Sequence, residues 1–240
     1  MFIKKNIKRL LNLIFFFDIS LWLKCIKQIK KDKITKNSDF NWTMNIYDLY
    51  VLRKLIKKYN PKKILELGPG IGVSTEAIAE QMSEDCELIA VEHEEKCIKL
   101  AKERIKDLRK KVSILHSKVI LSKEKIGLET ICFENLGMKD FENIDLLVCD
   151  GPAWFIDEKK RLITDLPRGD LFNIFESLKV GCIIIIDGSA ITRKIITRFC
   201  INSIRFLGIY GSWVFRIKKE PKLIDEKLKR LLNWNYLKLD

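Results

Sequence analysis

The stretch Lys63-Ile64-Leu65-Glu66-Leu67-Gly68-Pro69-Gly70-Ile71-Gly72-Val73-Ser74-Thr75 constrains this chain more than any other. Its first half is an apolar run of the kind that fills a buried strand of a parallel sheet. Its second half is a glycine turn running into Ala77, Ile78 and Ala79 at helical spacing. A strand, a tight turn and a helix therefore meet here. Glycines at 68, 70 and 72 permit positive φ and carry no side chain, so the backbone can curl beneath a nucleotide-like ligand and offer amides at a helix N-terminus. A dinucleotide fingerprint needs its third glycine where Val73 stands, so dinucleotides are disfavoured. Read plainly, the same glycines would serve only the packing of a strand-turn-helix corner.

Further apolar runs repeat the pattern of a strand ending in a polar group. Glu87–Glu92 is a second strand whose terminal carboxylate, beside the glycine turn, could accept hydrogen bonds from both hydroxyls of a ribose. His93 follows it. Val112–His116 is a third strand with Ser117 at its end, Ile144–Cys149 a fourth ending at Asp150, and the Gly181 turn introduces a fifth ending at Asp187. Helical spacing covers Met44–Tyr59, 94–110, 158–178 and 191–200; residues 119–143 are expected to be helix and loop, and 203–210 with 213–218 a closing hairpin.

The order E-x-G-x-G-x-G, then an acid ending the next strand, then Asp150-Gly151-Pro152-Ala153, then a glycine-led strand resembles the class I S-adenosylmethionine-dependent methyltransferases over residues 44 to about 218. The resemblance implies a Rossmann-like α/β fold, a mostly parallel seven-stranded sheet with an antiparallel last strand and helices on both faces. It implies S-adenosyl-L-methionine as cofactor. Glu66, Gly68, Pro69, Gly70, Gly72 and Ser74 would hold its methionine end, Glu92 its ribose, and His93 and Ser117 its adenine side, with Asp150 in the reaction zone as catalytic residue. Asp150-Gly151-Pro152 differs from the N/D-P-P-Y/F of amine-methylating members and is similar to O-methyltransferases. Catechol-type members hold magnesium with two aspartates and an asparagine; here Gly188 takes the asparagine's place and Ala153 that of a lysine base, so a divalent metal is not favoured. With only His93 and His116 as histidines, neither at ligand spacing from a cysteine, zinc is not expected either.

The net charge of +13 is unevenly spread. Residues 1–37 form a basic amphipathic arm in which Lys4, Lys5, Lys8, Arg9, Lys24, Lys27, Lys30, Lys31, Lys33 and Lys36 face only Asp18 and Asp32. Its apolar run, Leu10–Phe17 and then Ile19, Leu21, Trp22 and Leu23, is interrupted by Asn12, Asp18 and Ser20, short of the roughly 20 clean apolar residues of a membrane span. No small-x-small cleavage site follows. The arm suits either the inner membrane face, as a peripheral contact, or packing on the domain or a second subunit. Residues 33–43 read as a linker and 219–240 as a helical extension. Cysteines 25, 86, 97, 132, 149, 182 and 200 make no C-x-x-C pair and read as reduced packing residues of a cytoplasmic protein. The acceptor is then a small molecule, a glycan or a lipid-linked saccharide. RNA is the alternative with less support, since no aromatic-basic module accompanies the lysines; a catalytically silent cofactor-binding scaffold is the other.

Overall fold

The computed structural model describes residues 18–34, 44–123, 128–134, 136, 141–156, 162–163, 166–200, 202–210 and 212–223. Two helices open it, α1 (Ile19–Ile34) and α2 (Ile46–Tyr59). The Asn45 side chain caps α2 by accepting from the amides of Tyr47 and Asp48, and Asn60 ends it in the left-handed conformation just before Pro61. Then follow β1 (Lys63–Leu67), α3 (Val73–Gln81), β2 (Glu87–Glu92), α4 (Glu95–Ile105) and β3 (Lys111–His116). The second half holds β4 (Val119–Ser122), β5 (Thr130–Phe133), β6 (Leu146–Cys149), β7 (Phe155–Ile156), β8 (Leu162–Ile163), α5 (Asp170–Ile174), β9 (Ile183–Ile186), α6 (Ala190–Phe199), β10 (Ile204–Tyr210) and β11 (Ser212–Ile217).

Seven strands form one sheet in the order β10-β11-β9-β6-β1-β2-β3. All pairings are parallel except those of β11, which lies antiparallel between β9 and β10. Alternate residues of the central strands serve opposite faces. Leu65, Leu67, Val91, Leu147 and Ile184 join Phe172 and Phe175 on one side, whereas Ile64, Leu88, Leu146, Val148 and Ile185 join Leu49, Leu52, Ile56 and Ile78 on the other. Burial on both faces explains why these strands read as continuous apolar runs. Strand order reverses at β1, which pairs with β2 on one side and β6 on the other, so the carboxyl edge opens there into a crevice.

Three expectations need correction. Residues 119–122 and 130–133 form an antiparallel hairpin rather than helix and loop. Within 158–178 the described residues form β8, paired with β7, and then the short α5 followed by a 3₁₀ turn at Phe175–Ser177. Helix α1 continues to Ile34, into the expected linker, whose positions 35–43 lie outside the described residues, as do 1–17 of the arm and 224–240 of the extension. All seven cysteines are free and buried, as their apolar surroundings in the sequence suggested. Among the described residues no helix is long and apolar enough to cross a membrane.

Candidate active site

Residues Gly68, Gly70 and Gly72 all adopt positive φ, as the turn between β1 and α3 requires. Two of them are also forced by close approach. A Cβ at Gly68 would lie 2.4 Å from the Gly151 Cα, and one at Gly72 would lie 2.7 Å from the Ala101 Cα. The ends of β1 and β6 are thus laid against each other, with the amides of Asp150 and Gly151 both donating to the Leu67 carbonyl, at 3.0 and 2.7 Å. Pro69 contributes the carbonyl that accepts the Gly72 amide at 2.9 Å.

At the end of β2, Glu92 reaches back to this turn: its Oε2 accepts from the Gly70 amide at 3.0 Å. Its Oε1 accepts from the amides of His93 at 2.7 Å and Glu94 at 3.0 Å, and the His93 Nδ1 lies 2.8 Å away. Burial opposes ionisation of Glu92, but the His93 ring and these amides outweigh it and hold the carboxyl below its usual range. The His93 ring also meets Trp154 edge-on, with centroids 4.7 Å apart.

Glu66, in β1, has no exposed surface. Its Oε2 accepts from Thr75 Oγ1 at 2.7 Å, and its Oε1 is buried without a hydrogen-bond partner. Burial pushes this carboxyl up to about 7, against hydroxyl bonds from Ser74 and Thr75 and with the fields of Asp150 and Glu92. An orphaned carboxylate oxygen, in the field of two further carboxylates beside an amide-lined turn, fits a ligand that brings cationic and hydroxyl donors.

Asp150 is a quarter exposed in its side chain, at the carboxyl end of β6. Burial raises it to about 6, with Arg168 pulling it down and Asp187, Asp48 and Glu92 pushing it up. Arg168 itself is buried. Its Nη1 donates to the carbonyls of Cys149, at 2.6 Å, and Asp187, while Nη2 stands 3.7 Å from Asp150 Oδ1. The guanidinium thus bridges the ends of β6 and β9, adding a second donor to carbonyls that already accept from the amides of Asp187 and Ser189. Asp48 was missed. Its proximity to Asn45 reads only as a helix start, yet the buried carboxylate accepts from the amide and hydroxyl of Ser212, at 2.5 and 2.7 Å, and feels Asp187. No signal in the sequence tied Asp48 to this edge.

Ser117 stands at the end of β3, its amide donating to the Glu92 carbonyl at 2.9 Å and its hydroxyl to the Glu134 carbonyl at 2.6 Å. With Val91, Leu115, Glu134, Leu136 and Phe141 it lines a hollow of ≈ 330 Å³. Asp150 and Asp187 reach one edge of the sheet, as expected of two strand-ending acids. Among the described residues no group of three or more His, Cys, Asp and Glu is arranged to hold a metal ion.

The chain belongs to the O-methyltransferase family, whose model matches residues 20–202. No curated protein matches its sequence. Among solved structures it is similar to an O-methyltransferase from Klebsiella pneumoniae described as putative, at 14% identity and a TM-score of 0.53, over 89% of this chain and 97% of that one. TomG of Streptomyces achromogenes, an O-methyltransferase of tomaymycin synthesis solved with S-adenosylmethionine, matches at 11% identity and a TM-score of 0.53, over 89% and 96%. An O-methyltransferase from Bacillus cereus, solved with S-adenosylhomocysteine, matches at 14% identity and a TM-score of 0.51, over 89% and 97%. At such identities these likenesses show the fold, a Rossmann-like methyltransferase sheet.

Proposed function

We propose that this S-adenosylmethionine-dependent methyltransferase acts on a hydroxyl of a small molecule or glycan, with the cofactor along the crevice at the carboxyl edge of β1, β2 and β6. The observation that carries the reading is the contact between Glu92 and the Gly70 amide, which brings the strand-ending acid onto the glycine turn. When bound, the cofactor supplies a methyl group activated by a sulfonium. Glu66 Oε1 accepts hydrogen bonds from the amino group, which supports its ionised form. Glu92 Oε2, with one lone pair left beside the Gly70 amide, accepts from a ribose hydroxyl. The hollow beside Ser117 takes the base between Val91, Leu115 and Phe141.

Asp150 would orient the acceptor hydroxyl and take its proton as the methyl group passes from sulfur to that oxygen, the sulfur–carbon bond breaking to leave the thioether S-adenosylhomocysteine. A carboxylate raised to about 6 is mostly ionised at neutral pH and is a better base than an ordinary aspartate. Arg168 holds the strand ends that set its position. Positioning of oxygen behind carbon supplies most of the acceleration.

The lipid-linked form of the acceptor rests on the arm. Helix α1 is docked on the domain, yet its outward side exposes Ile19 and Leu23 next to Lys24, Lys27 and Lys30, a surface suited to the anionic cytoplasmic face of a membrane.

Titration calorimetry with S-adenosylhomocysteine tests the cofactor site: wild type binds and Glu92→Ala loses at least about tenfold in affinity, the loss of charge-assisted bonds. No binding by wild type rejects the reading. Transfer of labelled methyl to glycan extract rather than RNA supports the acceptor class, while binding without turnover in either supports the scaffold alternative.

A further inference from the structure

The N-terminal helix makes a polar contact with the cofactor turn that its packing does not require. Gln28 of α1 is buried, and its Nε2 donates both to the Val73 carbonyl at 2.8 Å and to Glu76 Oε2 at 3.0 Å. Val73 is the first residue of α3 and directly follows Gly72. The same Glu76 oxygen receives Arg104 Nη1 at 2.9 Å, and Arg104 Nε donates at 3.1 Å to the carbonyl of Ile71, inside the glycine turn. On the other side the Gln28 Oε1 accepts from Arg53 Nη2 at 2.8 Å, and that nitrogen also reaches Glu80 Oε2 at 2.7 Å. One amide therefore joins α1, α2 and α3, and through Arg104 it reaches α4 and the turn. Arg53 fixes which end of the amide is oxygen, so the NH₂ is directed at α3.

We infer that Gln28 is a positioning residue for the cofactor: it holds the start of α3 and, through Glu76 and Arg104, the Ile71 carbonyl in the geometry that presents the Gly70 and Gly72 region to the ligand. Removing it leaves the buried Glu76 carboxylate and the Arg53 guanidinium with one partner fewer in a low-dielectric setting, and the turn gains alternative arrangements. Because binding free energies are reciprocal, a ligand that orders the turn also tightens α1 on the domain. Helix α1 is thus linked to cofactor occupancy through this network.

The inference rests on the cofactor reading above, and its test separates the two. Hydrogen exchange of the wild-type chain with and without S-adenosylhomocysteine should show amides of 19–34 slowed several-fold on binding, through Gln28, which contacts α2 and α3. In Gln28→Leu, calorimetry should give affinity weakened about 5- to 20-fold, and the ligand-dependent slowing of α1 should vanish. Gln28→Glu keeps the acceptor for Arg53 but sets a carboxylate against Glu76 and the Val73 carbonyl, so it should be at least as weak as Gln28→Leu. A purely structural residue would lower the melting temperature and leave the wild-type exchange pattern of α1 blind to ligand. If the wild type binds ligand while α1 exchange stays unchanged, the inference fails and the cofactor site stands, even should both variants misfold. If the wild type does not bind, both fail.

Discussion

A carboxyl with no exposed surface, one oxygen held by Thr75 and the other unpartnered, keeps its proton up to about 7 at Glu66. Between the ordinary value of 4.5 and that point, the folded chain retains a proton that the unfolded chain has released. Stability of the ligand-free protein therefore falls as pH rises through this window, by up to about 3 kcal/mol from this group. Asp150, raised to about 6, adds to the fall in the same direction. Glu66→Gln removes the buried charge and should raise the melting temperature near pH 8, flatten the profile between about pH 5 and pH 8, and weaken S-adenosylhomocysteine binding about tenfold or more. A variant that melts lower at high pH and binds normally would overturn the assignment. The sequence marked Glu66, Glu92 and Asp150 because each ends or nearly ends an apolar run. Asp48 was invisible because its partner, Ser212, is distant in sequence, and the contacts of Arg168 were because the carbonyls of Cys149 and Asp187 are backbone groups that no residue type announces.

At the level of elements, the glycine turn answers to packing as much as to ligand, so both readings of its glycines hold together. Gly72 combines a φ of 82° with a missing Cβ that would sit 2.7 Å from both the Cα and the Cβ of Ala101 in α4. Gly72→Ala should lose about 3 kcal/mol in urea unfolding, from backbone strain plus overpacking. Adding Ala101→Gly should recover about 1 kcal/mol of coupling, the share of the clash with the Ala101 Cβ, while the clash with its Cα and the φ share stay lost. Zero coupling would place the whole effect in the backbone. The central strands and their order in the sheet were legible because double-sided burial writes continuous apolar runs and each run ends in a polar group. The β4–β5 hairpin was not: in β4 Ile120 and Leu121 are both exposed while Val119 and Ser122 are half-buried, so neither a period of two nor one of 3.6 emerges.

Across the whole molecule, the N-terminal helix has a buried side and an exposed one. Leu21, Cys25 and Gln28 are buried against the domain, and Asp18 takes Lys57 at 2.8 Å, so the arm's described half is part of the fold. One face of α1 thus packs on the domain, one of the two readings its sequence left open, because a stripe at four- and three-residue spacing suits a protein core and a membrane alike. Ile19 and Leu23 point away from that core, next to Trp22, whose ring meets Tyr47 at a tilt and Tyr50 edge-on, with centroids 5.4 and 5.6 Å apart. Apolar groups exposed on the helix that follows Leu10–Phe17, with lysines further along, should bind anionic vesicles through both contributions. Ile19→Ser with Leu23→Ser touches no buried contact, so it should leave S-adenosylhomocysteine affinity and melting temperature unchanged while cutting recovery in vesicle flotation about fivefold. High salt should cut the wild-type recovery further, through the lysines. Equal recovery of wild type and variant from anionic vesicles at low salt would remove this face from any membrane contact.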